Sequence, residues 1–169
     1  MDLSALLPKV LQAVYETANG EVLASVDLES IAALLGASAK DVDSAVESLV
    51  RSGLLATPET GPMAELTERG ILEYEDSARK SSDSAQSAAA YERIAERWRV
   101  LEWLYERSGG GPGEVVEEVG LQGLAPDRLN TVTSVLSYEG LIATFGFAVA
   151  LTPEGVVAWE RRADGRSIL

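Results

Sequence analysis

The sequence predicts a mainly α fold with small β-hairpins, α+β in class, arranged as two tandem copies. The first observation is a repeated phrase, "GLLATPETGPMAELTERG" from Gly53 to Gly70 and "GLIATFGFAVALTPEG" from Gly140 to Gly155. The second is that the blocks before it recur in the same order. "VLQAVYETANG" (Val10–Gly20) pairs with "VLEWLYERSGG" (Val100–Gly110), and "SAKDVDSAVESLVRSGLLAT" (Ser38–Thr57) pairs with "APDRLNTVTSVLSYEGLIAT" (Ala125–Thr144). Such ordered self-similarity is the mark of a duplicated supersecondary unit. The third is size: 169 residues at 46% hydrophobic suffice for two small cores.

The elements follow in order. Leu6, Leu7, Val10, Leu11 and Val14 fall at helical spacing and stop at Asn19-Gly20, a C-terminal cap, which gives a first helix. "LESIAALLG" sets Leu28, Ile31, Ala32 and Leu35 on one face and ends at Gly36, which gives a short second helix. Ser38 with Asp41 forms a capping pattern, and Val42, Ala45, Val46 and Leu49 recur at i, i+3, i+4 and i+7. That third helix stops at Gly53. In the second half Pro126 suits the first helical position, and Leu129, Val132 and Leu136 take the inward places. A β-rich run follows each third helix, Leu54–Thr57 and Leu141–Thr144, then a turn ("PETGP" or "FGF") and a returning run ending in Leu-Thr. A last helix then carries Ile71, Leu72 and Tyr74 in one copy and Val156, Val157 and Trp159 in the other. Residues 77–91 are rich in Ser and Ala and read either as a mobile linker or as a solvated bridging helix. The domains are thus 1–76 and 92–169.

Three helices, a hairpin and a trailing helix resemble the winged helix-turn-helix family, on the strength of the two "GL(L/I)AT … LTxxG" phrases behind amphipathic third helices. The resemblance covers about residues 5–76 and 92–163 and implies two tandem winged-helix domains. It implies function only by analogy.

Composition excludes much chemistry. Without cysteine there is no disulfide, thiolate nucleophile or Cys-containing zinc site, and without histidine the Ser-His-Asp and His-zinc designs are gone. No paired-carboxylate motif stands in their place, so the expectation is a binding protein and not an enzyme, with no cofactor and no metal. "SGGGPG" (Ser108–Gly113) lacks the Gly-Lys-Ser/Thr of a phosphate loop and follows a helix, so it reads as a connection. Glu114, Glu117 and Glu118 read as first-turn acids of a helix, placed there by its dipole, and not as a cation site. No run reaches the roughly 20 apolar residues of a membrane span, and Asp2 stands where a signal peptide would carry positive charge. A cytoplasmic location without a membrane partner is the expectation.

The net charge of −13 and pI near 4.4 repel nucleic acid at long range, so any phosphate contact must be local. In DNA-binding winged helices the third helix enters the major groove, and its outward face decides the function. The first copy offers Lys40, Asp41, Asp43, Ser44, Glu47, Ser48 and Arg51, whose three carboxylates would oppose phosphates. Aligned on Gly-Leu, the second copy offers Arg128, Asn130, Thr131, Ser134 and Tyr138. Arg pairs with guanine, Asn with adenine, and the hydroxyls with phosphates, so these five are the candidate DNA-binding residues. The second turn carries Phe145-Gly146-Phe147 instead of basic residues, and its two rings fold onto the core, form a partner-binding patch or wedge between base steps.

Two functions compete. One is a transcriptional regulator contacting double-stranded DNA mainly through the second domain. A homodimer would add phosphate contacts, with Val100 and Trp103 as candidate contact residues. The other is an acidic tandem winged-helix adaptor that binds protein through Phe145 and Phe147 and does not touch DNA.

Overall fold

The computed structural model describes residues 2–59, 61–117 and 123–164. They are mainly helical, with two small antiparallel three-stranded sheets. The chain divides into two compact units, Met1–Ser82 and Asp83–Leu169.

In the first unit α1 (Leu3–Thr17) starts at Asp2, whose carboxylate accepts the Ser4 amide. β1 (Val26–Asp27) leads directly into α2 (Leu28–Leu35), where Asp27 caps the helix by accepting from Ser30 and Gly36 ends it in the left-handed region. The α3 helix (Ala39–Arg51) has the capping expected at Ser38, which accepts the Asp41 amide. β2 (Leu55–Ala56), β3 (Met63–Leu66) and α4 (Glu68–Arg79) complete the unit, with strand order β1-β3-β2. Its apolar core draws on each helix and strand: Leu6, Val10 and Val14, Ile31, Val42 and Leu49, Leu55 and Leu66, and Ile71 are all buried.

The second unit opens with α5 (Ser84–Arg107), capped by Asp83, and continues through β4 (Val116–Glu117), α6 (Pro126–Tyr138), β5 (Ile142–Phe145), β6 (Ala148–Leu151) and α7 (Pro153–Ala163). Pro126 and Pro153 occupy helix starts, where the missing N–H costs no hydrogen bond. Strand order is β4-β6-β5. Val100, Leu101, Leu104, Val132, Leu136, Ile142, Val149 and Leu151 form one core cluster.

The same joint closes both units. The Thr67 hydroxyl donates to the Gly53 carbonyl (2.8 Å) and accepts the Gly70 amide (3.0 Å); that of Thr152 donates to Gly140 (2.6 Å) and accepts from Gly155 (3.0 Å). Each threonine is also the N-cap of the last helix, which is thereby tied to the stop of the third. Gly70 and Gly155 are required by close approach. A Cβ there would lie 2.0 Å from the Leu54 carbonyl oxygen and 2.1 Å from that of Leu141.

Three features depart from the sequence reading. Residues 77–79 finish α4 and 84–91 begin α5, so the Ser/Ala-rich stretch is divided between two helices with residues 80–83 between them. Each sheet has a third strand, β1 or β4, of two residues. Glu117 lies in β4, paired with Ala148, and not in a first helical turn; Glu118 lies outside the described residues. Among the described residues no helix is long and apolar enough to cross a membrane.

Candidate functional site

Helix α6 does not present the face expected of it. Arg128 is buried, and its Nη2 donates to Oε2 of Glu96 at 2.6 Å, with both side chains nearly covered (10% and 14% exposed). Arg93 approaches the same oxygen at 3.5 Å. Glu96 stands on α5, far away in sequence, and turns Arg128 inward, where a charge needs a partner. Thr131 is buried one turn on, at 3% exposure. The expected outward placement of Arg128 and Thr131 is corrected accordingly. Asn130 is exposed, Ser134 half-buried and Tyr138 exposed, and these three form a stripe at i, i+4 and i+8. In the first unit Lys40, Asp43, Glu47 and Arg51 are exposed on α3, while Asp41 is engaged by Ser38 at the helix start.

The hairpin of the second unit is built by register. Phe145 pairs with Ala148 as the last residue of β5, so the turn proper is Gly146-Phe147 and not the three residues expected. Gly146 has φ +64°, whereas Asn19 and Leu23 are the only non-glycine residues with positive φ among those described. This is the II′ arrangement, whose twist matches the flanking strands and which needs glycine at its first central position. The rings do not fold back: Phe145 is 58% and Phe147 87% exposed. No base lies between Leu141 and Leu151.

The dimer candidates on α5 belong elsewhere. Val100 is buried in the core cluster and Trp103 packs partly buried against it. Arg97 is also buried, Arg93 is half-buried and Arg99 is exposed. The Trp98 ring lies 4.5 Å beneath the Arg162 guanidinium.

A second pair of equivalent positions joins first and last helices. The Tyr15 hydroxyl donates to Glu75 at 2.8 Å in a buried contact, and that of Tyr105 donates to Glu160 at 3.0 Å in an exposed one. The Glu160 carboxylate, helped by desolvation, holds the Tyr105 phenol above the usual tyrosine range. Asp27 is held below the usual aspartate range, chiefly by the Ser30 hydroxyl and then by the Ser30 amide.

No family model, curated protein or solved structure matches the chain.

Proposed function

We propose that the chain is a tandem winged-helix protein of the adaptor kind, whose second unit binds another protein through the β5–β6 hairpin. What supports the family is the order of elements that the two units share among the described residues, a counterpart of α2 apart, and the matching threonine joints behind the two hairpins. The observation that carries the function is the aromatic pair at the tip. Two rings held in water on a short, well-registered hairpin are an anchor of the sort that dominates protein interfaces, where buried aromatics supply most of the energy.

Duplex DNA is the competing partner. In its favour stands the exposed Asn130, Ser134 and Tyr138 stripe; against it stand the loss of Arg128 to Glu96, a turn without a base, and a net charge of −13. A titration against random duplex DNA at low salt separates the two. The adaptor reading expects no salt-sensitive binding, together with discrete protein adducts in cells from a photocrosslinking residue at position 147 and none from one at position 40. Salt-sensitive DNA binding that Asn130→Ala weakens would replace it with the regulator reading.

A further inference from the structure

The register of the second sheet sorts its side chains. Ile142, Val149 and Leu151 belong to the core, so Ala143, Phe145, Ala148 and Ala150 share the opposite face. β4 joins with Val116 against Val149, which puts Glu117 beside Ala148 on that outer face. Val115, just before the strand, is exposed at the edge of this face, whereas Ala150 is buried at 3%. Across the sheet this makes two rows, Ala150–Ala143 and Glu117–Ala148–Phe145. At one strand spacing per step, Glu117 and Phe145 stand about 10 Å apart with a single methyl group between them. Val115 is 56% exposed, Phe145 58%, and Glu117 is exposed at the other end of its row.

The equivalent face of the first sheet is chemically different. Its rows hold Ser25, Glu65 and Ala56, then Asp27 and Met63. The Ser25 hydroxyl donates to the Glu65 carboxylate, and Asp27 is engaged in capping α2. Where the first unit has that serine and glutamate, the second has Val115 and Ala150. An internally satisfied polar face has become an apolar one with one carboxylate at its margin.

We infer that this outer face docks a basic segment of another protein, a lysine or arginine beside an apolar residue. The cation meets Glu117, and the apolar side chain lies over Ala148 beside Phe145, with Val115 at the edge. The inference rests on the protein-binding reading of the hairpin and names its partner's chemistry. Charge complementarity selects the occupant. Glu117 is the only charge in the two rows, and residues 83–169 carry 13 acidic against 8 basic residues. A second copy of the chain would bring the same carboxylate and the same excess to the contact, which like-charge repulsion disfavours.

The test is a selection of random displayed peptides on the full chain, followed by titration of synthetic versions of those selected. The expected sequences carry Lys or Arg next to an aliphatic or aromatic residue. Their affinity should fall about tenfold on Glu117→Lys, less on Glu117→Gln, and return when the peptide's cation is changed to Glu. Val115→Ser should weaken it too. All these positions are exposed, and unchanged melting curves verify that the variants are folded. Selection of acidic or uncharged peptides, or of none, overturns the inference. Loss of binding on Phe147→Ser but not on Glu117→Lys removes the basic partner and leaves the hairpin as a protein-binding element; indifference to both removes both readings. A dimer in sedimentation that Phe145→Ser dissolves makes a second copy the occupant and also overturns it.

Discussion

In the first unit a tyrosine on the opening helix meets a glutamate on the closing helix inside the structure; in the second the corresponding tyrosine and glutamate meet in water. The threonine joints, by contrast, repeat to within 0.2 Å in their Thr–Gly carbonyl bonds. The copies diverge where a change stays local. Contacts that fix one backbone segment to another are kept, because altering them moves a whole helix. Side chains whose partners are other side chains, such as Tyr15 with Glu75 or Ser25 with Glu65, change character between copies. The two sheets make the same point on their outer faces, one polar and the other apolar.

The joint is where the two units are most alike and where a substitution has the largest effect. Gly70→Ala and Gly155→Ala should each destabilise their own unit by about 3 kcal/mol or more, since the added methyl meets a carbonyl oxygen and the backbone must shift. Two melting transitions, read by calorimetry, should move by similar amounts; a large inequality would mean that the joints are not equivalent. Next in size, Arg128→Ala should cost about 3 kcal/mol by stranding Glu96 nearly covered, and Arg93 alone should not compensate. Denaturant unfolding measures it, and a negligible cost would return Arg128 to the surface.

Tyr15→Phe should cost about 2 kcal/mol, because Glu75 loses a donor where water cannot replace it, while Tyr105→Phe should change stability little near neutral pH. Equal effects would erase the contrast between the units. The smallest effects are in pH dependence. The Tyr105 phenol is raised in the folded state, so its contribution is full below the unfolded value near 10 and is lost as pH rises through the folded value. Asp27 is lowered, so its contribution is present above 3.8 and is lost as pH falls toward the folded value. Tyr105→Phe should flatten the alkaline limb of the second unit, and Asp27→Asn the acid limb of the first, in melts across pH.

Both hairpins and every helix of the described residues were legible because they rest on local patterns: apolar spacing, Ser38 capping α3, Pro126 opening α6, Gly36 closing α2; the second helix expected in the second copy is not among the described elements. Strands β1 and β4 were not legible, since two residues give no alternation to detect and each exists only through its pairing with a later strand. The candidate site was half legible. Phe145 and Phe147 stood out as aromatics on a turn, and both are exposed there. The fate of Arg128 was hidden, because alignment with Asp41 reports its position on the helix but not the carboxylate of Glu96 lying against it. Glu75 escaped for the same reason: nothing near it in sequence announces the Tyr15 hydroxyl.

The Thr–Gly clasp also has a meaning for protein engineering. Since a threonine hydroxyl bonded to main-chain groups fixes the feet of each hairpin, the tip beyond the residues lent to the core is a cassette whose length and chemistry can change without moving the helices below. Grafting the stretch from Ile142 to Leu151 onto the feet at Leu55 and Leu66 would move the aromatic tip to the other scaffold, and the helices beneath would keep their footing.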